Sequence, residues 1–283
     1  MRILNFLLYL LVLIFGVWSF VGYEDFLLGP SPDTYNWWWP QEISTYGQRI
    51  DGLFKMISVM IAVFYILTMG ILCWTVLAYS GKRGDKAMHT HGSHKLEMLW
   101  TAIPAGLLLV IAFTQMSTAA AIQNTSSTYD KDGNPIPALA EIWGSQFDWR
   151  YRYPGPDGRF GTYDDIETEY ELVIPMLDTV EDPSQKKLVF LLRSRDVLHS
   201  FFIPMFRFKR DAVPGMTQRI WFATDEEQFD EAFKDREDKT FDIICAELCG
   251  WGHYKMSGRV RVLRDAEYAE WMAKMVAEKH STN

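Results

Sequence analysis

Cys245-Ala246-Glu247-Leu248-Cys249-Gly250-Trp251-Gly252-His253-Tyr254-Lys255-Met256 gathers two thiols, an imidazole and a thioether into twelve residues. Those are soft ligands, the donor set that selects copper over the harder divalent ions. A second imidazole, His199, stands upstream in Asp196-Val197-Leu198-His199-Ser200. Two cysteines four residues apart cannot each dominate a separate mononuclear site, but they can bridge one pair of metals. A disulfide is the competing reading. It needs neither His253 nor Met256 at a fixed offset, and so short a loop serves its geometry poorly.

Outward from this run, charge and apolarity divide the chain. Residues 1–122 hold seven acids and seven bases, so the whole formal charge of −8 falls after residue 122. Three uncharged apolar stretches, from Ile3 to Tyr23, Met56 to Gly81 and Met98 to about Ile122, reach the roughly 20 residues that a membrane helix needs. Lys82, Arg83, Lys86 and Lys95 stand against one acid, Asp85, before Glu97 in the loop between the second and third stretches. The positive-inside bias puts that loop in the cytoplasm and everything after Ile122 outside. Arg2 fits an inside N-terminus. The first stretch is either a signal anchor or an extra transmembrane helix; it has no small-x-small cleavage site near Gly22. Three cysteines are too few for a disulfide framework, and Cys73, inside an apolar run, reads as a buried packing residue. His89, His91 and His94 share a polar loop and are not assigned to a metal.

After Ile122 the texture changes to short Val-, Ile-, Phe- and Tyr-rich runs, such as Lys187–Arg193 and Gln218–Ala223. Turn signals at Pro154–Gly158, Val213–Gly215 and Ser257-Gly258 separate them, the pattern of an all-β sandwich or barrel. The acidic segment Thr224–Lys239 reads as a solvated excursion or short helix, and Ala266–His280 as a helical tail on the surface. The organisation expected is therefore 1–23 signal anchor or extra helix, 24–122 lead-in and transmembrane hairpin, and 123–283 exterior domain.

With every position of Cys-x3-Cys-x3-His-x2-Met filled and a histidine upstream, the chain resembles cytochrome c oxidase subunit II, whose exterior domain carries the dinuclear copper site CuA. The likeness extends to Trp39–Asp51 as a periplasmic lead-in and His94–Pro104 as the start of the second hairpin helix, and so covers about residues 35–272. It implies a membrane helical hairpin followed by a cupredoxin-like Greek-key sandwich. It also implies an electron-accepting subunit of a respiratory oxidase in a bacterial plasma membrane, with the copper domain on the periplasmic side. Electrons would come from cytochrome c and pass to haem in subunit I, where oxygen becomes water and protons are translocated. Subunits I and III, cytochrome c and lipid are the partners implied; nucleic acid is not.

The resemblance also implies roles residue by residue. Cys245 and Cys249 bridge the coppers, His199 and His253 bind one copper each, and Met256 and the Glu247 main-chain carbonyl are weak axial ligands. The Glu247 carboxylate, a hard ligand, suits magnesium or manganese at the boundary with subunit I; the plainer reading is an exposed glutamate. The family's Gln-Trp-x-Trp strand corresponds to Gln146-Phe147-Asp148-Trp149, so Phe147 departs from the tryptophan expected where electrons enter. Trp149 keeps the second tryptophan, and on alternation along a strand it should face the same side as Phe147; it could equally be core. Glu97 matches a position near the mouth of a proton path, or is an interfacial capping charge. A donor cytochrome fused to this chain is not expected, because no Cys-x-x-Cys-His haem-attachment motif occurs in it. Quinol-oxidising relatives lack the copper ligands, and a nitrous oxide reductase would need a large catalytic domain. The rival from another class is a membrane-anchored copper carrier or assembly protein.

Overall fold

An apolar run in lipid must satisfy its own backbone, and only a helix does so within one segment. Helices α1 (Gly47–Ala78, 32 residues) and α2 (His94–Gln123, 30 residues) take that form. At 1.5 Å per residue they extend about 45–48 Å, enough to cross a hydrocarbon layer of about 30 Å. Val63, Leu67, Leu108, Phe113 and Met116 are exposed along them, an outer surface suited to lipid or partner helices. Pro104 is accommodated inside α2. Cys73 is buried within this unit, as its apolar setting suggests.

The computed structural model describes residues 7–14, 16, 40–79 and 81–282, apart from 82, 83, 87, 88, 90, 183, 184, 235 and 237. Residues 7–14 are helical, and Tyr65 of α1 donates to the Val12 carbonyl at 2.7 Å. The remainder of 1–23, on which the choice between signal anchor and extra helix rests, lies outside the described residues, as do Lys82 and Arg83 of the basic loop.

The exterior unit comprises ten strands in two five-stranded sheets. One sheet runs β3 (Ile166–Glu169), β2 (Asp148–Tyr153), β1 (Ala140–Ser145), β5 (Leu188–Ser194), β8 (Gln218–Phe222). The other runs β4 (Glu171–Pro175), β10 (Ser257–Leu263), β9 (Thr240–Cys245), β6 (His199–Ile203), β7 (Phe208–Ala212). Period-two patterning decides which face of each strand is buried. Along β2, Trp149, Tyr151 and Tyr153 point inward, while Arg150 and Arg152 point outward and pair with Glu169 and Glu167 on β3 at 3.1 and 2.9 Å. Phe190, Phe201, Phe206, Phe208 and Phe222 fill the space between the sheets. Tyr153 pins one sheet to the other. Its hydroxyl accepts from the Val173 amide at 2.8 Å and donates to the Val173 carbonyl at 3.0 Å.

One segment differs from its sequence-based expectation, and two others take the helical form expected of them, with added contacts. Pro40–Gln48, grouped with the hairpin by sequence, belongs to the exterior unit. The amide of Ile43 donates to Met205 O, that of Thr45 to Ala223 O and that of Asp225 to Ile43 O, and Ile43 is fully buried. The acidic excursion is α3 (Glu226–Phe233), capped by Asp225, which accepts from the Gln228 amide. It is not merely solvated: Phe229 and Phe233 are buried, and Phe233 lies against Phe241. The tail is α4 (Asp265–Thr282), held to the sandwich by Trp271 edge-on to Tyr153 at 5.2 Å.

Replacing Tyr153 with Phe keeps the shape but leaves a buried amide and carbonyl of Val173 without this partner. We expect a loss of about 1–3 kcal/mol, measured as a lowered denaturant midpoint of the exterior domain in the full chain. An unchanged midpoint would refute the pinning role.

Candidate metal centre

Strand register builds the site before any side chain is considered. β6 and β9 run antiparallel with Phe201 opposite Cys245, and β9 and β10 with Ile244 opposite Ser257. His199, Cys245 and Met256 therefore converge at one end of one sheet. The Cys245 amide donates to Met256 O at 3.1 Å, and the Ala246 amide to Ser200 O at 3.0 Å. Between Cys245 and Met256 the chain loops out and back through a 3-10 turn, His253–Lys255. Gly250, at φ +135°, takes a conformation other residues rarely adopt. A β-carbon on Gly252 would lie 2.4 Å from the Phe147 ring.

The donors lie as metal ligands must. Cys245 Sγ is 3.9 Å from Cys249 Sγ and 4.0 Å from His199 Nδ1; Cys249 Sγ is 3.7 Å from both His253 Nδ1 and Met256 Sδ. Sγ–N gaps of this size suit an ion bonded at about 2.0–2.3 Å to each donor. The Glu247 carbonyl oxygen is 3.2 Å from Cys245 Sγ. His199, Cys245, Cys249 and Met256 are buried. Both cysteines are free thiols, so the disulfide reading falls.

Around them stands a supporting layer that the motif did not reveal. Asp196 Oδ1 meets His199 Nε2 at 2.8 Å, which leaves Nδ1 to face the thiols. This is how a carboxylate fixes the orientation of a ligating imidazole. Asp196 also accepts from the Gln146 and Val197 amides. Gln146 Nε2 donates to the Cys249 carbonyl, tying the β1–β2 turn to the ligand loop. Gly144 gives these groups room, since a β-carbon there would sit 3.0 Å from both the His199 and Trp149 rings. The signal for Asp196 was present, a carboxylate three residues before a ligand histidine; Gln146 and Gly144 had none that spacing could supply.

Charge at the centre is uneven. Burial raises the Cys245 thiol, but hydrogen bonding to His199 and to the backbone at Ser200 and Glu247 outweighs it, and the pKa falls to about 6. Burial and then the negative Cys245 push Cys249 up to about 11. Burial lowers His199, yet Cys245 and Asp196 raise it overall. A pair of cations would stabilise both thiolates at once, which the protein alone does for only one.

The expectation that Phe147 and Trp149 share a face fails. Phe147 lies in the turn before β2, half-buried and edge-on to Trp251 at 5.2 Å, and alternation does not extend into a turn. Trp149 is fully buried, edge-on to His199 at 6.0 Å and to Phe201 at 5.1 Å, so no external donor touches it. Glu247 is half-buried. Glu97, remote in sequence on the first turn of α2, is exposed and 3.7 Å from His94 Nδ1.

Apolar helices and a sandwich with a histidine–dithiolate loop define a membrane-anchored cupredoxin-like metalloprotein. Residues 139–262 match the family described as cytochrome c oxidase subunit II, periplasmic domain, and residues 34–117 its transmembrane domain. The alternative cytochrome c oxidase subunit 2 of Bradyrhizobium diazoefficiens is 29% identical over 251 residues, 83% of each chain. The cytochrome c oxidase subunit 2 of Alkalihalophilus pseudofirmus is 31% identical over 84% of this chain, which spans 60% of that protein's length. That of Cereibacter sphaeroides is 26% identical over 81% of this chain and 76% of its own. The chain belongs to the cytochrome c oxidase subunit II family, the subunit through which electrons enter a haem–copper oxidase. It is a membrane subunit with a periplasmic domain that works with other oxidase subunits, and its His199–Cys245–Cys249 cluster fits a copper site.

Ligand thiols must lose their protons when metal binds. At pH 8 Cys245 is already a thiolate and Cys249 is not, so loading the full chain should release about one thiol proton. Release should grow as pH falls through 6, where Cys245 and His199 start out protonated. Calorimetry in buffers of different ionisation heat checks this, and equal release at pH 5.5 and pH 8 would contradict it.

Proposed function

We propose that this centre holds two copper ions bridged by the Cys245 and Cys249 sulfurs, and that it receives electrons one at a time from cytochrome c. In this reading His199 and His253 bind one copper each, and Met256 and the Glu247 carbonyl are weak ligands. The observation that carries it is the convergence of His199, Cys245 and Cys249 donor atoms within 4.8 Å of one another, with His253 Nδ1 and Met256 Sδ each 3.7 Å from Cys249. Such a pair supplies a one-electron carrier whose ligands scarcely move between oxidation states.

The protein's part is to hold those ligands still and dry. Asp196 orients His199, the β6–β9–β10 register sets Cys245 against Met256, and Trp149 walls the site from inside. Met256, a soft thioether 3.7 Å from Cys249 Sγ, would be a weak donor that tunes the potential of the bound metal.

Further parts of the proposal concern the subunit boundary. The Glu247 side chain binds magnesium or manganese there together with residues of subunit I. Glu97 serves the mouth of a proton path into subunit I, and subunit III completes the assembly in a bacterial plasma membrane. Phe147 forms part of the surface a donor meets; Trp149, being buried, serves the centre from within.

Metal analysis of the purified full chain, freed of subunit I and that subunit's own copper, should find two coppers per chain, with a purple oxidised form that Cys249→Ser abolishes. One copper per chain, or a spectrum that survives the substitution, would defeat the reading.

A separate outcome concerns Glu247→Ala. Copper should stay bound, because the main chain still offers its carbonyl, while the manganese resonance signal at the boundary weakens. An unaltered manganese signal would remove Glu247 from that site.

A further inference from the structure

Trp251 is a large aromatic side chain left outside the fold. It is 77% exposed, two residues from Cys249 and two from His253. Burying an indole contributes a large apolar gain, so its exposure on an ordered loop needs a reason. Its setting is built: Gly250 supplies the left-handed turn, Gly252 leaves space for the Phe147 ring, and that ring meets Trp251 edge-to-face at 5.2 Å. Lys255 Nζ sits 4.7 Å above the indole. Leu248 and Tyr254, from the same loop, are 77% and 83% exposed. The ligand loop thus presents an apolar and aromatic face directly over the metal donors.

We propose that Trp251 is the residue through which electrons pass from the docked donor to the centre. This rests on the reading of the site as a copper pair served by a c-type cytochrome. The donor haem loses one electron and the centre gains one; no bond forms or breaks and no proton moves. Three observations favour Trp251 over its neighbours. Trp149 is fully buried and out of a donor's reach. Phe147 is half-buried beneath Trp251 and lacks the extended, readily polarised ring of indole. Tyr254 is exposed, but oxidising a phenol involves its proton, and its short covalent links lead to His253 and to the weak donor Met256, not to a thiolate. Trp251 has covalent links to both Cys249 and His253. Through Phe147 it also touches the turn whose Gln146 donates to the Cys249 carbonyl at 2.5 Å.

The occupant of this face is a small soluble protein with an exposed haem edge inside an apolar rim and a basic surround. Exposed aromatics at the centre of a contact are the residues that anchor protein partners. The whole −8 of the chain falls after residue 122, which complements a basic partner and speeds its approach.

The test uses the intact oxidase with Trp251→Leu, Trp251→Phe and Tyr254→Leu. A reduced soluble c-type cytochrome is the donor, and a small inorganic reductant, hexaammineruthenium(II), is the control. Reduction of the copper centre is followed by stopped-flow absorbance, donor affinity by salt-dependent binding, and the site by its paramagnetic resonance spectrum. Trp251→Leu should slow reduction by the cytochrome at saturation by at least roughly tenfold, with Trp251→Phe between it and wild type; Tyr254→Leu, on the same contact face, should weaken donor binding while slowing the saturated step less than Trp251→Leu does. The resonance spectrum and reduction by ruthenium should not change. If Trp251→Leu loses copper, Trp251→Phe decides: a saturated rate equal to wild type overturns the proposal. A Trp251→Leu rate within about twofold of wild type, or an equal slowing with ruthenium, also overturns it. In those cases the cytochrome still reduces the wild-type centre and the copper reading stands. If ruthenium reduces wild type but the cytochrome does not, the donor assignment falls and takes this inference with it.

Discussion

Two sulfurs held 3.9 Å apart in a buried loop constrain everything around them. In the protein alone the two thiols diverge: hydrogen bonds outweigh burial and draw Cys245 down to about 6, while burial, and then the negative charge on Cys245, drive Cys249 up to about 11. A fold that tolerates this must hold the pair rigidly and leave the charge to be met by metal. The sandwich does so by using strand register, not side-chain contacts, as the primary positioning device. Cys245 and Met256 are brought together by the β9–β10 pairing, and His199 joins them through the β6–β9 pairing. Shifting any of these strands by one residue would turn its ligand to the opposite face of the sheet.

Rigidity at the centre is passed outward through a short chain of polar contacts. Asp196 grips His199 and the β1–β2 turn, and Gln146 of that turn holds the Cys249 carbonyl. The same turn carries Phe147, which lies under Trp251. The orientation of a ligand imidazole and the shape of the outer aromatic face are therefore set by one hairpin. Tightly held ligands and a firm contact face are what a carrier of single electrons needs, since the transfer should demand little movement of either.

The membrane helices obey a different logic. α2 has no buried residue, and α1 exposes Val63, Leu67 and Trp74. Such surfaces are stable only against lipid or other helices, in keeping with a subunit of a larger membrane assembly. The Glu97–His94 pair is likewise exposed in the single chain.

The cluster of soft donors in one loop was legible in the amino-acid order because thiol, imidazole and thioether at close covalent spacing restrict what those residues can do, whereas His199, 46 residues before Cys245, was assigned only through the family resemblance. Helical spans were legible for a similar reason: about twenty uncharged apolar residues admit few alternatives. Side-chain direction outside regular elements was not. Alternation placed Phe147 and Trp149 on one face, but only tertiary structure shows that a turn intervenes, sending one ring outward and sealing the other against His199. Nor could spacing reveal that Pro40–Gln48 adds its backbone hydrogen bonds to the sandwich, or that Gln146 reaches a carbonyl 103 residues away. Those contacts join segments far apart in the chain, and which segments meet is decided by how two sheets pack, a property of the whole fold that no local stretch contains.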